Sequence, residues 1–226
     1  MKILHISIPK NGGTYIANNL ATNFLPDEQY IVDENRVHLS DFLNKRDEVM
    51  HSCMFFAGHV PFRFVSAFAD NFDLIVSSYR DPWSRTWSFF RFVTANNAEW
   101  AHLNPRSTED AIEKFSTFID QYFINNRFSR NSQCGYLGEA NLPASALSNI
   151  NTFNIQMLSS RFLAQNMQTL ASKYKLTLKA GAPQNETPSD GIRIRPGEYP
   201  AIDQKIYQWF DGDFELVKQL DERRTL

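Results

Sequence analysis

A strand that runs into a glycine turn and then into a helix opens this chain, and no other stretch restricts the fold as much. Residues 2–7 are apolar and β-branched, Pro9 and the pair Gly12-Gly13 end the run, and Ile16, Leu20 and Phe24 then recur at four-residue spacing. The same alternation continues downstream. Residues 54–58 and 73–78 read as buried strands, and helices are expected from Pro82 through Val93, over 107–123 and over about 160–173. A short polar helix is expected at 39–47, a loop at 124–148, and a further strand at 150–155. Residues 180–200, rich in Gly and Pro, read as a long ordered loop before two last helices at about 200–210 and 212–223. Strands alternating with helices imply an α/β fold whose central, mostly parallel sheet of four or five strands is flanked by helices. With 226 residues, 1–226 is expected to form a single domain.

In such sheets ligands bind beyond the carboxyl ends of the strands. The first strand ends in Pro9-Lys10-Asn11-Gly12-Gly13-Thr14. Backbone N–H groups at a turn that starts a helix form an anion site, and the helix dipole adds to it. Two glycines let the backbone approach the anion, Lys10 adds a mobile positive charge, and the Thr14 hydroxyl suits a cap or an anion. The ATPase loop has its Lys after the glycines, followed by a Ser or Thr for magnesium; here Lys10 precedes them. A plain strand-to-helix turn with a solvated Lys remains the alternative.

A second motif, Arg80-Asp81-Pro82-x-x-Arg85-x-x-Ser88, follows the strand at 73–78. Arg80, Arg85 and Ser88 could converge on another anion, because a guanidinium offers phosphate a fork of donors. Asp81 is expected to hold the turn. The alternative is a capped helix start with exposed arginines. Trp83, Trp87 and Phe90 stand at helical spacing and read as core rather than as a nucleobase platform.

Composition narrows the function. A net charge of −2 argues against broad nucleic-acid binding. Cys53 and Cys134 lack metal or redox spacing and read as reduced core thiols. The five His, at 5, 38, 51, 59 and 102, have no ligand spacing, so no metal is expected. His5, inside the first strand, is expected to be a hydrogen-bonded core residue. The N-terminus reads as a strand without signal-peptide character, and no apolar run reaches membrane-spanning length, so a cytoplasmic protein with no membrane span is expected.

Pro9-Lys10-x-Gly12-Gly13-Thr14, Gly58-His59 and Arg80-Asp81-Pro82-x-x-Arg85-x-x-Ser88 occur in that order. Together they resemble the sulfotransferases that use 3′-phosphoadenosine 5′-phosphosulfate (PAPS), in particular the branch that contains the heparan-sulfate and other carbohydrate enzymes. Asn131-x-Gln133-x-x-Tyr136-Leu137, Asn185-Glu186-Thr187 and the helix around Phe214–Leu220 are similar to later stretches of that branch. Asn11 stands where the family usually has Thr, and Tyr15 where it has Ser. The chain is also shorter than the Golgi enzymes, like a bacterial-type relative.

The resemblance implies a nucleotide-binding, P-loop-like sulfotransferase fold and a sulfuryl transfer from PAPS that yields PAP (3′-phosphoadenosine 5′-phosphate). The implied cofactor site is Lys10, Asn11, Gly12, Gly13, Thr14 and Tyr15 for the 5′-phosphosulfate, with Arg80 and Ser88 for the 3′-phosphate. Lys10 is the expected catalytic cation, because charge grows on the leaving oxygen. His59, after an apolar strand and a glycine, is the candidate base; the bland alternative is a strand-end His held by a backbone carbonyl. The acceptor is a hydroxyl or amine of a small molecule or glycan. Arg193 and Arg195, in the 180–200 loop, are candidates to close over the nucleotide, whereas Arg127 and Arg130 read as solvated side chains that could instead face an anionic acceptor. Two other classes are compatible with parts of this pattern: a nucleotide-binding module without turnover, and an ATP-dependent kinase.

Overall fold

The structure is a computed structural model and describes residues 1–33, 37–123, 130–179 and 191–224. Its contacts divide the chain into two compact units, Met1–Tyr79 with Gln133–Asn185, and Arg80–Ser132 with Glu186–Leu226.

The first unit holds the sheet. Its strands are β1 (Ile3–Ile6), β2 (Gln29–Val32), β3 (Phe55–Gly58), β4 (Leu74–Tyr79) and β5 (Gln156–Ser159). They lie in the order β2-β3-β1-β4-β5, all parallel. The α/β class and the strand count are those expected. β1 is central and buried throughout, which explains an apolar run without alternation. The chain leaves β1 toward β2 on one side of the sheet and leaves β4 toward β5 on the other. The carboxyl ends of neighbouring β1 and β4 are therefore the switch point, where open α/β sheets bind ligands.

Helices cover both faces. On one, Ile16 and Leu20 of α1 (Gly13–Ala21) and Leu163 and Met167 of α8 (Leu163–Tyr174) pack on Ile3, Phe55, Val76 and Leu158. On the other, Phe42 of α2 (Leu39–Asn44) tilts against Phe56 with ring centroids 4.9 Å apart. A second helix, α3 (Arg46–Ser52), follows α2 directly, so the polar helix expected at 39–47 is two short ones. Cys53 and Cys134 are both buried, and burial pushes the Cys53 thiol up to about 11.

Two expectations are corrected here. Residues 132–137 and 143–148, within the expected loop, are helical: they form α6 (Ser132–Leu137) and most of α7 (Pro143–Thr152). Pro143 starts α7 at its first turn, and Ala146, Leu147 and Ile150 give it a buried face amid small polar residues. Residues 150–152 therefore end α7, and the fifth strand starts only at Gln156. The short edge strand β2 was not anticipated from the sequence.

The second unit is helical and aromatic. Its helices are α4 (Pro82–Asn96), α5 (Thr108–Phe118), which runs on into a π turn (Ile119–Phe123), and α9 (Pro200–Arg224). Trp83, Phe90, Phe115, Phe118, Phe123 and Phe210 are buried together, the core reading given to Trp83 and Phe90. All four tryptophans of the chain, Trp83, Trp87, Trp100 and Trp209, pack in or against this core. Ser107 caps α5, its Oγ accepting from the Asp110 N–H at 3.2 Å. Helix α9 breaks at Phe210 (φ −130°, ψ 25°), which yields the two terminal helices expected. Asn131 Oδ1 holds the break by accepting from the N–H groups of Gly212 (3.0 Å) and Asp213 (3.2 Å). Among the described residues no helix is long and apolar enough to cross a membrane.

Gly58 tests the β2–β3 packing. A Cβ there would lie 2.7 Å from Val32 Cβ and 2.8 Å from Val32 O. Gly58→Ala is expected to lower stability by roughly 1–3 kcal/mol in urea unfolding; a wild-type midpoint would contradict this approach of the strands.

Candidate functional site

In the first unit, the chain turns at the end of β1 through two left-handed residues, Lys10 (φ +67°) and Gly12 (φ +85°). Gly12 is the N-cap of α1, and no side chain caps the helix. Its first hydrogen bond runs from the Ile16 N–H to Gly12 O at 3.2 Å, which leaves the first-turn amides of Gly13, Thr14 and Tyr15 without intrahelical partners. The first turn holds no acidic residue to occupy that positive end. Thr14 is exposed in this turn rather than at the cap. Tyr15 packs beside the α1–α8 core.

The two glycines have structural reasons of their own. A Cβ on Gly12 would meet Leu163 Cδ2 at 2.6 Å, and one on Gly13 would run into Ser7 Oγ. Helix α1 can start here only because β1 and α8 press against bare backbone. The Asn11 side chain is buried and turned inward, its Nδ2 donating to Ser78 O (3.0 Å) and Gln133 Oε1 (2.8 Å). It braces the loop against β4 and α6. Gln133, which the sequence brought forward only by resemblance, thus has a clear structural part.

His59 follows β3, and its N–H donates to Val32 O at 3.2 Å. Its Nδ1 lies 2.7 Å from Ser7 O. A carbonyl oxygen only accepts, so Nδ1 carries the proton and Nε2 of the neutral ring keeps its lone pair. The carbonyl contact of the bland reading is present, and it also fixes the tautomer that a general base needs.

His5 is fully buried, as a core residue should be, but among the described residues neither ring nitrogen has a hydrogen-bond partner. Burial, followed by the nearby His59, lowers its pKa from 6.5 to about 3.

In the second unit, Asp81 caps α4 by accepting from the Ser84 N–H at 2.8 Å, and Pro82 takes the first helical position. The turn-holding part expected of Asp81 is what it plays. Arg80, just before α4, and Ser84, Trp87, Ser88 and Arg91 along one stripe of that helix line a cavity of about 440 Å³, whose other side is lined by residues 191–196. The Arg91 guanidinium lies 5.7 Å from the Trp87 ring centroid. In the segment 191–196 Ile194 is buried in the aromatic core, while Arg193 and Arg195 are exposed and line the cavity. Among the described residues neither Arg193 nor Arg195 forms an ion pair. Burial lowers the pKa of Arg80; Asp81 raises it, and Arg85 lowers it further. An anion in the cavity would offset both unfavourable effects.

The cavity thus joins Arg80 and Ser88 with Arg193 and Arg195, whereas Arg85 is buried and is not part of its lining. Trp83 and Trp87 contribute to its wall although they pack with the core. Arg130 lies 3.8 Å from Asp211 at the surface. Arg127 and Asn185-Glu186-Thr187 lie outside the described residues. No group of three His, Cys, Asp or Glu side chains among the described residues could hold a metal ion.

No protein-family model matches the chain, and no curated protein matches it. Among solved structures it is similar to mouse sulfotransferase SULT7A1 complexed with PAP, with a TM-score of 0.54 and 9% sequence identity, over 100% of this chain and 89% of that one. The two share a fold.

The buried His5 gives stability a pH dependence. Between about pH 6.5 and 3 the unfolded chain binds a proton that the folded chain refuses, so this contribution is complete above about pH 6.5 and is lost as pH falls toward 3, by up to roughly 1.4 kcal/mol per unit. Urea unfolding of His5→Gln across that window should show a slope shallower by one proton; an unchanged slope would mean that the ring protonates in place.

Proposed function

We propose that this chain is a sulfotransferase that moves a sulfuryl group from PAPS to a hydroxyl or amine, residues 1–226 acting as one catalytic domain. The fold shared with a sulfotransferase solved with PAP carries this reading. Two features support it: an uncapped helix start with Lys10 at the switch point, and an arginine-lined cavity on the helix that the chain enters at Arg80, directly after β4. Only the resemblance to the carbohydrate branch points to an acceptor on a carbohydrate or small metabolite.

In this reading the amides of Gly12, Gly13 and Thr14 and the Lys10 ammonium hold the 5′-phosphosulfate. Asn11 acts by bracing that loop from behind, and Tyr15 offers its backbone N–H. Arg80 and Ser88, assisted by Arg193 and Arg195, hold the 3′-phosphate. The acceptor oxygen or nitrogen attacks sulfur in line, and the bond from sulfur to the bridging oxygen of the 5′-phosphate breaks. The acceptor proton passes to His59 Nε2, and the electron pair leaves on PAP. Lys10 meets the charge that develops on the leaving oxygen, which lowers the barrier more than it tightens substrate binding. The chemistry needs no metal in this scheme, because amides and cations meet the donor's charge.

Thermal shift assays with PAP, AMP, and ATP plus magnesium test the binding half. At ~100 times its Kd, PAP should stabilise the fold by ~2.7 kcal/mol, and AMP much less, because it lacks the 3′-phosphate. Stabilisation by ATP equal to or greater than that by PAP would favour a kinase and remove Arg80 and Ser88 from their assigned role. For turnover with PAPS and a panel of phenol, amine and sugar acceptors, His59→Ala should cost ~10²–10⁴-fold in kcat while PAP affinity stays near wild type. Binding of PAP by both proteins, with no wild-type turnover of any acceptor in the panel, would favour a binding module.

A further inference from the structure

In the first unit, three fully buried side chains hold polar atoms that meet no partner among the described residues: both ring nitrogens of His5, Oδ1 of Asn11 and Oγ of Ser78. The sheet brings them together. His5 pairs with Val76 across β1 and β4, so Ser78, two residues further along, stands on the same face as His5. Asn11 reaches this strand end through its bond to Ser78 O. Its Nδ2 is held by two acceptors, Ser78 O and Gln133 Oε1, which fixes the amide plane and keeps Oδ1 inward.

The chemistry of the three groups is complementary. Neutral His5 offers one N–H donor and one bare nitrogen, Ser78 offers an O–H, and Asn11 offers an acceptor. A buried polar atom left unmet costs roughly 1–3 kcal/mol, so native interiors rarely keep several side by side. Water bound among such groups makes two to four hydrogen bonds and becomes part of the structure.

We infer that His5 is a positioning residue for the anion loop, acting through internal water that it shares with Asn11 Oδ1 and Ser78 Oγ. The water donates to Asn11 Oδ1 and to the bare His5 nitrogen and accepts from the Ser78 O–H. The loop is then tied from beneath to β1 as well as to β4. Asn11 is the link: it is the loop residue between Lys10 and Gly12, so fixing its amide fixes the backbone that presents the first-turn N–H groups. The inference rests on the sulfotransferase reading for its ligand, PAP, and on the geometry alone for the water.

The test combines a high-resolution crystal structure of the wild-type chain with three variants, His5→Leu, His5→Gln and Ser78→Ala. The density should contain water within about 2.7–3.2 Å of Asn11 Oδ1, Ser78 Oγ and a His5 nitrogen. His5→Leu should weaken PAP binding in calorimetry about tenfold, the scale of one buried hydrogen bond, and should speed hydrogen exchange at the Asn11, Gly12 and Gly13 amides. His5→Gln, which keeps a donor and an acceptor, should retain both properties. Ser78→Ala should shift both in the direction of His5→Leu, and it decides the matter if His5→Leu does not fold. Dry density at the three groups would overturn the inference. So would His5→Leu with lowered global stability but wild-type PAP affinity and loop exchange. If wild type binds no PAP, the sulfotransferase reading fails, and loop exchange in the variants still decides the role of His5.

Discussion

Ser7, just past the end of β1, makes three contacts on which the candidate groups of the first unit depend. Its N–H donates to Gly58 O at 2.9 Å, which extends the β1–β3 ladder beyond the last strand residues. Its carbonyl accepts the hydrogen bond from His59 Nδ1–H. Its hydroxyl lies where a side chain on Gly13 would have to go, so the helix start rests directly on it. One buried residue thereby supports the start of α1, fixes the tautomer of His59 and extends the β1–β3 register. All three follow from β1 being the central strand of a parallel sheet, held on both edges by neighbours that cannot slip without turning their buried faces outward.

The second unit solves a different problem, that of keeping several guanidinium groups close to a hydrophobic core. Alternation along the segment at 191–196 does part of the work: Ile194 anchors in the aromatic cluster and the arginines beside it face the cavity. The stripe on α4 does the rest, since Ser84, Ser88 and Arg91 recur at helical spacing on one side, with Arg80 just before the helix. Charge gathered in this way repels itself and is poorly solvated, and Arg80 registers both effects in its lowered pKa. An anion placed against Arg80 would relieve both effects.

The sequence made β1, β3 and β4 legible because these buried strands are continuous apolar runs, but it misplaced β5; it made α4 and α5 legible because proline and serine mark their starts. It hid α6, α7 and β2 for physical reasons. Helix α7 buries only a narrow apolar face, Ala146, Leu147 and Ile150, amid Asn and Ser that suit loops equally well. Strand β2 is a short edge strand with too few residues for a period to emerge. At the site, the loop and arginine motifs could be read directly, since glycines, Lys10 and Arg80 carry their chemistry in residue type alone. The inward turn of Asn11, the brace from Gln133, the tautomer of His59 and the unmet nitrogens of His5 could not, because each depends on which distant atoms the fold brings within hydrogen-bonding distance.

A crystal structure of the chain with PAP bound tests the central claim most directly. The account predicts the 5′-phosphate within hydrogen-bonding distance of the Gly12–Thr14 amides and Lys10 Nζ, and the 3′-phosphate against Arg80 and Ser88. A nucleotide that leaves the loop after β1 unoccupied, or whose 3′-phosphate lies away from Arg80 and Ser88, would contradict it.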